Sequence, residues 1–420
     1  MKPKSMAVFN SNDIYPISAD STLPFAQHTD MLYLTGVDQE ETILILFPEA
    51  TNPKHREILF LRETNAHIAV WEGAKLTQKA AREMNGIETV YWVQDFEKVF
   101  FDLAAQCDTF YFNKNEHYRA SVETQTREDR FIEWAQHNYP SHQAARSNPI
   151  LQKLRSIKSA PEIKQIERAS TITEKGFQRI LPFVTPGVWE YEIEAEYIHE
   201  FLRQQADGFA YQPIIASGNN TNVLHYIENN KQCQAGDLLL MDVGAAYGRY
   251  SADMTRTIPV SGRFTARQKE VYQAVLRVKE EATQLLLPGV LWKEYHVEVG
   301  KIMTRELLGL AGWVVSILVA NFTSPMIETP IADFLQVKGL GVALAWALPF
   351  AAAVVIWFIL ASLLAPGLKR VGFGSLDRWL GVLFGFIRGF GLVLIVFVAA
   401  VFAAEGEDNL PDIVKDSHSS

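Results

Sequence analysis

Residues 339–364 and 380–402 of this 420-residue chain are two long apolar runs, and nothing else in the sequence restricts its fold as strongly. A helix needs about 20 such residues to cross the hydrocarbon core of a bilayer, and both runs reach that length. Segments this long and this apolar seldom fit inside a soluble domain, so both are expected to be membrane helices. Pro349 would kink the first, which neighbouring helices accommodate. Gly381, Gly385 and Gly389 give the second a small-residue surface for close helix packing, which leaves a homo-oligomer open. Arg388 in the same run either snorkels to the interface or faces the bundle interior. A third run, Leu307 to Phe322, is marginal in length. Lys369, Arg370 and Arg378 place the loop between the two long spans in the cytoplasm and leave the acidic tail Glu405 to Asp408 outside. With Leu307 to Phe322 taken as a span, residues 1–305 lie on the cytoplasmic side of an inner membrane.

Residues 1–305 are a different kind of polymer, mixed and polar, with room for domains that have cores of their own. The formal net charge of the chain is -9 and no basic run is present to gather phosphates, so nucleic acid is not an expected partner. Small molecules or peptides are. Cys107 and Cys233 are too few and too far apart for a disulfide framework or a thiolate metal site, which fits a reducing compartment. The first ten residues lack a continuous apolar segment, so no secretory signal is expected.

Up to about residue 143 the pattern alternates between the two periodicities and predicts an α/β domain. Strands are expected at Met6 to Asn10, Leu32 to Thr35, Thr42 to Phe47, Glu57 to Leu61, Thr89 to Val93 and Thr109 to Phe112. Helices are expected at Gln78 to Met84, Phe96 to Cys107 and Glu123 to Gln136. The histidines here, His28, His55, His67, His117, His137 and His142, show no ligand-like pairing and are read as surface or structural.

A linker around Pro140 to Asn148 precedes a helix whose start is marked by Ser159 three residues before Glu162, with Pro161 in the first turn. A second helix, Glu190 to Gln204, carries Ile193, Tyr197 and Phe201 on one side. Strands Gln212 to Ser217 and Val223 to Glu228 follow, and His225 lies on the second, placed to hydrogen-bond a substrate or pass a proton. Next comes the stretch Leu238 to Thr257, which reads as two strands meeting at a turn on Tyr247-Gly248. That turn sets Ala246 opposite Arg249 and, counting outward in twos, Asp242 opposite Asp253 on one sheet face. Directly opposed Cβ atoms lie roughly 4.5–5.5 Å apart, where like charges repel. Solvent with Arg249 and Arg256 is one way to offset the repulsion, and a bridging divalent metal is the other. The apolar run Leu238 to Met241 favours the metal, because it reads as a buried strand and an unpaired buried carboxylate is costly.

Through Tyr33-Leu-Thr-Gly36, Trp71-Glu-Gly73, Ile214-Ile-Ala-Ser-Gly218 and Leu224-His-Tyr226, and above all through Asp242-Val-Gly244, Tyr250, Asp253 and Thr255-Arg-Thr257, residues 1 to about 305 resemble the Xaa-Pro aminopeptidases, a pita-bread metallopeptidase family. The resemblance implies an aminopeptidase P N-terminal-like domain at 1–143 and a partial pita-bread domain at 150–305. It carries ligation of a pair of divalent ions, usually manganese (Mn2+), to Asp242 and Asp253, and a catalytic substrate-pocket role to His225. The implied substrates are peptides with proline at the second position, and two ions suit amide hydrolysis by lowering the pKa of a bridging water and polarising the carbonyl. The family's remaining ligands, one histidine and two glutamates, come from strands beyond the helix that here holds Trp292 to His296. After Asp253 the only histidines are His296 and His418, and Glu294, Glu298 and Glu306 share one helical stretch. The implied centre is therefore incomplete and hydrolysis impaired.

Residues 306–420 resemble the colicin V production protein family through Arg305-Glu-Leu-Leu-Gly-Leu-Ala-Gly-Trp313, Asp377-Arg-Trp-Leu-Gly381 and Arg388-Gly389, without that family's first span. The expected fold class is thus an α/β N-terminal domain plus a partial α+β pita-bread domain, followed by an α-helical membrane region with the lipid bilayer as its partner. Two functions fit: a membrane-fused, impaired Xaa-Pro aminopeptidase-like enzyme, or a membrane protein of the colicin V production type carrying an inactive peptidase-like domain.

Overall fold

The structure is a computed structural model that describes residues 1–117, 123–335 and 338–364. Its packing separates two compact units, one of residues 1–233 and 239–257, the other of residues 234–238 and 258–420. The expected span at 380–402, with Arg388 and the glycines Gly381, Gly385 and Gly389, lies outside the described residues, as do Lys369, Arg370, Arg378 and the tail at 405–408.

The first unit begins with β1 (Ser5–Asn10), α1 (Thr29–Thr35), β2 (Ile43–Leu46), β3 (Glu57–Leu61), α2 (Ala66–Glu72), α3 (Gln78–Asn85) and β4 (Thr89–Trp92). Then come α4 (Phe96–Ala104), β5 (Thr109–Phe112), α5 (Arg127–Asn138), β6 (Gln143–Arg146) and α6 (Asn148–Ser156). The six strands form one mixed sheet in the order β4-β3-β2-β1-β5-β6. Every residue of the central β1 is buried, because helices cover both faces. Phe96 and Phe100 of α4 pack with Phe131 of α5 against one face. Met31 of α1, Ala81 of α3 and Leu151 of α6 pack against the other.

Two expectations fail in this region. Leu32 to Thr35 is helical, since the His28 ring accepts the Asp30 N–H at the start of α1 and Gly36, at φ 69°, ends it. A short apolar run does not reveal its own period, and the caps decide it. The stretch read as a linker holds β6, a polar edge strand that pairs in parallel with β5. Its exposed residues give no apolar alternation to detect.

The rest of this unit contains α7 (Ala160–Phe183), α8 (Glu190–Arg203), β7 (Gly208–Phe209), β8 (Ile214–Ser217), β9 (Leu238–Val243), β10 (Ala245–Tyr247), β11 (Tyr250–Ser251) and β12 (Met254–Pro259). Ser159 starts α7 as expected, its N–H and Oγ–H donating to the Glu162 carboxylate at 2.7 and 2.8 Å. The two helices approach closely at Gly176, where a Cβ would sit 2.8 Å from the Tyr197 ring and 2.9 Å from that of Phe201. The strands form two small sheets, β12-β9-β8 and β11-β10-β7. Val223 to Glu228 is not a strand but a turn followed by irregular chain, with His225 exposed on it.

The described part of the second unit is helical: α9 (Ala266–Gln284), α10 (Trp292–Leu335) and α11 (Lys338–Leu364). Arg277 of α9 pairs with Glu306 of α10 at 2.6 Å, and Arg305 reaches back to Glu281 at 2.5 Å. Gly312 lets α11 come close to α10, since a Cβ there would lie 2.3 Å from Trp357 Cδ1. The Trp357 indole N–H donates to the Leu308 carbonyl at 2.8 Å, and that of Trp346 to Asn321 Oδ1 at 2.7 Å. The run Leu307 to Phe322 is not a separate element but the middle of the 44-residue α10. Stretches 292–331 and 341–360 are each long and apolar enough to cross a membrane, and most of their surface is unburied.

Candidate active site

Asp242 lies near the end of β9. Leu239, Met241 and Val243 are buried and alternate with half-buried Leu238, Leu240 and Asp242, so the aspartate faces the more open side of the sheet. Asp253, just before β12, is exposed. The expectation of a buried carboxylate is therefore corrected, because the run Leu238 to Met241 is covered on one face only.

The register is corrected as well. The hairpin pairs Tyr247 with Tyr250 and Ala246 with Ser251, so its two-residue turn is Gly248-Arg249. Both turn residues have positive φ, 56° and 63°, as the turns that match strand twist require. Asp242 and Asp253 come together by another route: the strands break at Gly244 and Ala252, and the Tyr211 hydroxyl lies within hydrogen-bonding distance of Asp242 Oδ1 at 2.7 Å and Asp253 Oδ1 at 3.2 Å. Gly244 makes this possible. A Cβ on it would lie 1.9 Å from the Ala252 carbonyl oxygen and 3.2 Å from the Tyr211 ring. Burial and the bond to Asp242 push the Tyr211 hydroxyl well above the ordinary tyrosine pKa, so it stays protonated.

Neither arginine expected to neutralise the pair does so. Arg249 donates to Asp38 at 3.0 and 2.8 Å and to the Phe25 carbonyl at 3.1 Å. Arg256 donates to the Thr255 carbonyl at 2.8 Å. Tyr250 instead anchors the hairpin, its hydroxyl donating to Glu162 at 2.9 Å. Tyr211 was missed by sequence reasoning. It sits on a bend between β7 and β8 in no motif, and only the fold brings it to the aspartates.

The turn bearing His225 is held from beneath. Glu190, fully buried at the start of α8, accepts from the Ser217 N–H and Oγ–H, each at 2.7 Å, from Tyr226 at 2.7 Å and from the Lys231 N–H at 2.9 Å. Tyr226, next to His225 in the chain, is the buried residue of that turn, and His225 itself is exposed.

The metallopeptidase family M24 model matches residues 164–339 and the aminopeptidase P N-terminal domain model residues 1–111. The Xaa-Pro aminopeptidase of Escherichia coli (strain K12) is 32% identical over 311 residues, covering 74% of this chain and 70% of the relative. The chain belongs to the Xaa-Pro aminopeptidase family. The Xaa-Pro aminopeptidase of Haemophilus influenzae is 31% identical over 313 residues, with 74% and 69% covered. Among solved structures, a putative aminopeptidase P from Bacillus anthracis superposes with TM-score 0.69 at 26% identity, covering 74% of each chain. Proline aminopeptidase P II from Yersinia pestis superposes with TM-score 0.66 at 31% identity, covering 74% of this chain and 71% of that one. The colicin V production protein model matches residues 303–420.

Membership in a metallopeptidase family implies divalent metal use, and the residues here can be tested against it. Among the described residues no group of three or more His, Cys, Asp or Glu side chains converges as a metal site needs. The pair Asp242 and Asp253 supplies carboxylate oxygens alone, and the hydroxyl between them points its proton at them. A hard divalent ion takes about six oxygen ligands, so this donor set does not fit a two-ion centre.

Proposed function

We propose that the chain is a membrane-anchored relative of the Xaa-Pro aminopeptidases that recognises peptides with proline at the second position and hydrolyses them poorly. The domains proposed are an aminopeptidase P N-terminal-like domain at 1–143, a partial pita-bread domain at 150–305 and a membrane region from 306. The observation that carries the reading is the contact of Tyr211 with both aspartates. Where a metallopeptidase would set cations between Asp242 and Asp253, this chain has a protonated hydroxyl aimed at the gap. The manganese pair of the family is accordingly proposed to bind weakly, and His225 keeps a peptide-contacting role on its exposed turn.

The membrane part of the proposal rests on the largely unburied apolar surface of α10 and α11 and on the match to the colicin V production family. It places residues 1–305 on the cytoplasmic face of an inner membrane. The test is calorimetry of manganese and of the tripeptide Ala-Pro-Ala on the full chain in detergent, with an Xaa-Pro hydrolysis assay beside it. Peptide binding with weak manganese binding and slow hydrolysis is expected. Tight binding of two ions with rapid hydrolysis refutes the impairment, and no peptide binding refutes the peptidase-like reading in favour of a membrane protein with an inactive domain.

A further inference from the structure

The loop 218–231 joins β8 to the chain that leads into β9, and it carries His225 on an exposed turn. Its sequence is poor in packing: Val223, Leu224 and Ile227 are 53, 89 and 45% exposed, so apolar burial does not fix its shape. Only Tyr226 and Asn229 along residues 222–230 are buried. Asn229, at φ 44°, donates to the Pro213 carbonyl at 3.0 Å and to Glu194 at 2.9 Å, which pins the far limb. Tyr226 has a single strong anchor, the Glu190 carboxylate.

That carboxylate is fully used. Oε1 accepts two hydrogen bonds from Ser217 on the near side of the loop, and Oε2 accepts from Tyr226 at its middle and Lys231 at its far end. The Glu190 N–H also donates to the Lys231 carbonyl at 3.0 Å. A carboxylate has about four acceptor positions, and here all four are met by donors from three residues, Ser217 where the loop begins, Tyr226 at its middle and Lys231 at its end. Burying this carboxylate costs desolvation energy, which these hydrogen bonds offset. A loop tie is what it gives in return. Because Ile214 pairs with Asp242 across β8 and β9, the same node also fixes the loop relative to the aspartate strand.

We infer that Glu190 is a positioning residue that, through Tyr226, holds His225 in place for contact with a peptide. The contact with a peptide rests on the function proposed above, whereas the tie itself does not. Two measurements on the full chain in detergent separate them. In hydrogen exchange, Tyr226→Phe and Glu190→Gln should speed exchange of residues 219–231 about tenfold or more, with β1 to β5 unchanged, since losing a bond to a charged acceptor opens the loop by that factor. In calorimetry with Ala-Pro-Ala, Tyr226→Phe should weaken binding about fivefold, the value of one hydrogen bond. Adding it to His225→Ala should weaken binding no further, because both act through the same ring. Unchanged exchange in the Tyr226→Phe loop overturns the tie. Additive losses in the double variant show that Tyr226 does not act through His225 and overturn the positioning role. Absence of peptide binding by the unmodified chain sinks the function reading alone and leaves the exchange result to judge the tie.

Discussion

Tyr211 has one proton to offer two carboxylates, and that single hydroxyl is what offsets their repulsion. Replacing it by phenylalanine removes a charge-assisted hydrogen bond and leaves Asp242 facing Asp253 with solvent as the only screen. Such bonds contribute about 1.5–3 kcal/mol when buried, and with Asp253 exposed the expected loss in a denaturant melt is about 1–2 kcal/mol. Asp242→Asn should act oppositely. It keeps an acceptor for Tyr211, turns repulsion into attraction, and should raise stability by about 0.2–1 kcal/mol equally with and without manganese. A melt in which manganese stabilises the unmodified chain but not the variant would show a metal ligand instead. Tyr226 and Tyr250 give a pH dependence. Burial, and then bonds to Glu190 and Glu162 respectively, push both phenols up to about 12, against about 10 in an unfolded chain. The folded state holds these protons while the unfolded state gives them up, so the stability they confer is full below pH 10 and declines as pH rises towards 12. Tyr226→Phe and Tyr250→Phe should each flatten that alkaline decline, as read from melts between pH 9 and 12.

At the scale of elements, the hairpin depends on Gly244 because two chains pass within one side chain's radius of each other. With 1.9 Å between a Cβ and the Ala252 carbonyl oxygen, Gly244→Ala forces backbone apart and should cost about 3 kcal/mol or more, seen as a lowered melting point and loss of Tyr211 protection. The sequence shows the glycine but not the reason for it. Elements with long periods or strong caps were legible: α7 from its Ser159 and Glu162 box, α8 from Ile193, Tyr197 and Phe201, and the central strands from continuous apolar runs. Those whose identity depends on tertiary partners were not. Residues 32–35 became helix because His28 and Gly36 cap them, 143–146 became strand because β5 offered an edge, and 223–228 stayed irregular because Glu190 satisfies the Ser217 and Lys231 N–H groups around it. The two aspartates were correctly brought together, yet for the wrong reason, since the register differs and Tyr211 does the joining.

For the whole molecule the consequential element is α10, whose 44 residues run without a break from polar to apolar sequence. At 1.5 Å per residue it is about 66 Å long, roughly twice the thickness of a bilayer's hydrocarbon core. Its first part therefore projects into water when the apolar part is in lipid. The pairs Arg277 with Glu306 and Arg305 with Glu281 brace that projecting part against α9 just before the apolar run begins at Leu307. In water, the exposed flanks of α10 and α11, with Leu307 61%, Phe322 77% and Val355 58% accessible, would form an apolar surface far larger than soluble proteins carry. In lipid the same helices satisfy their backbones internally and bury those flanks at no cost. The chain should consequently sediment with membranes and stay there through alkaline carbonate, and a protease added to sealed inverted vesicles should remove residues 1–305 while sparing the segment from 307. Recovery of the full chain as a soluble monomer would refute the membrane anchor. Carbonate-resistant chain whose first 305 residues are protected in inverted vesicles would keep the anchor and reverse the proposed orientation.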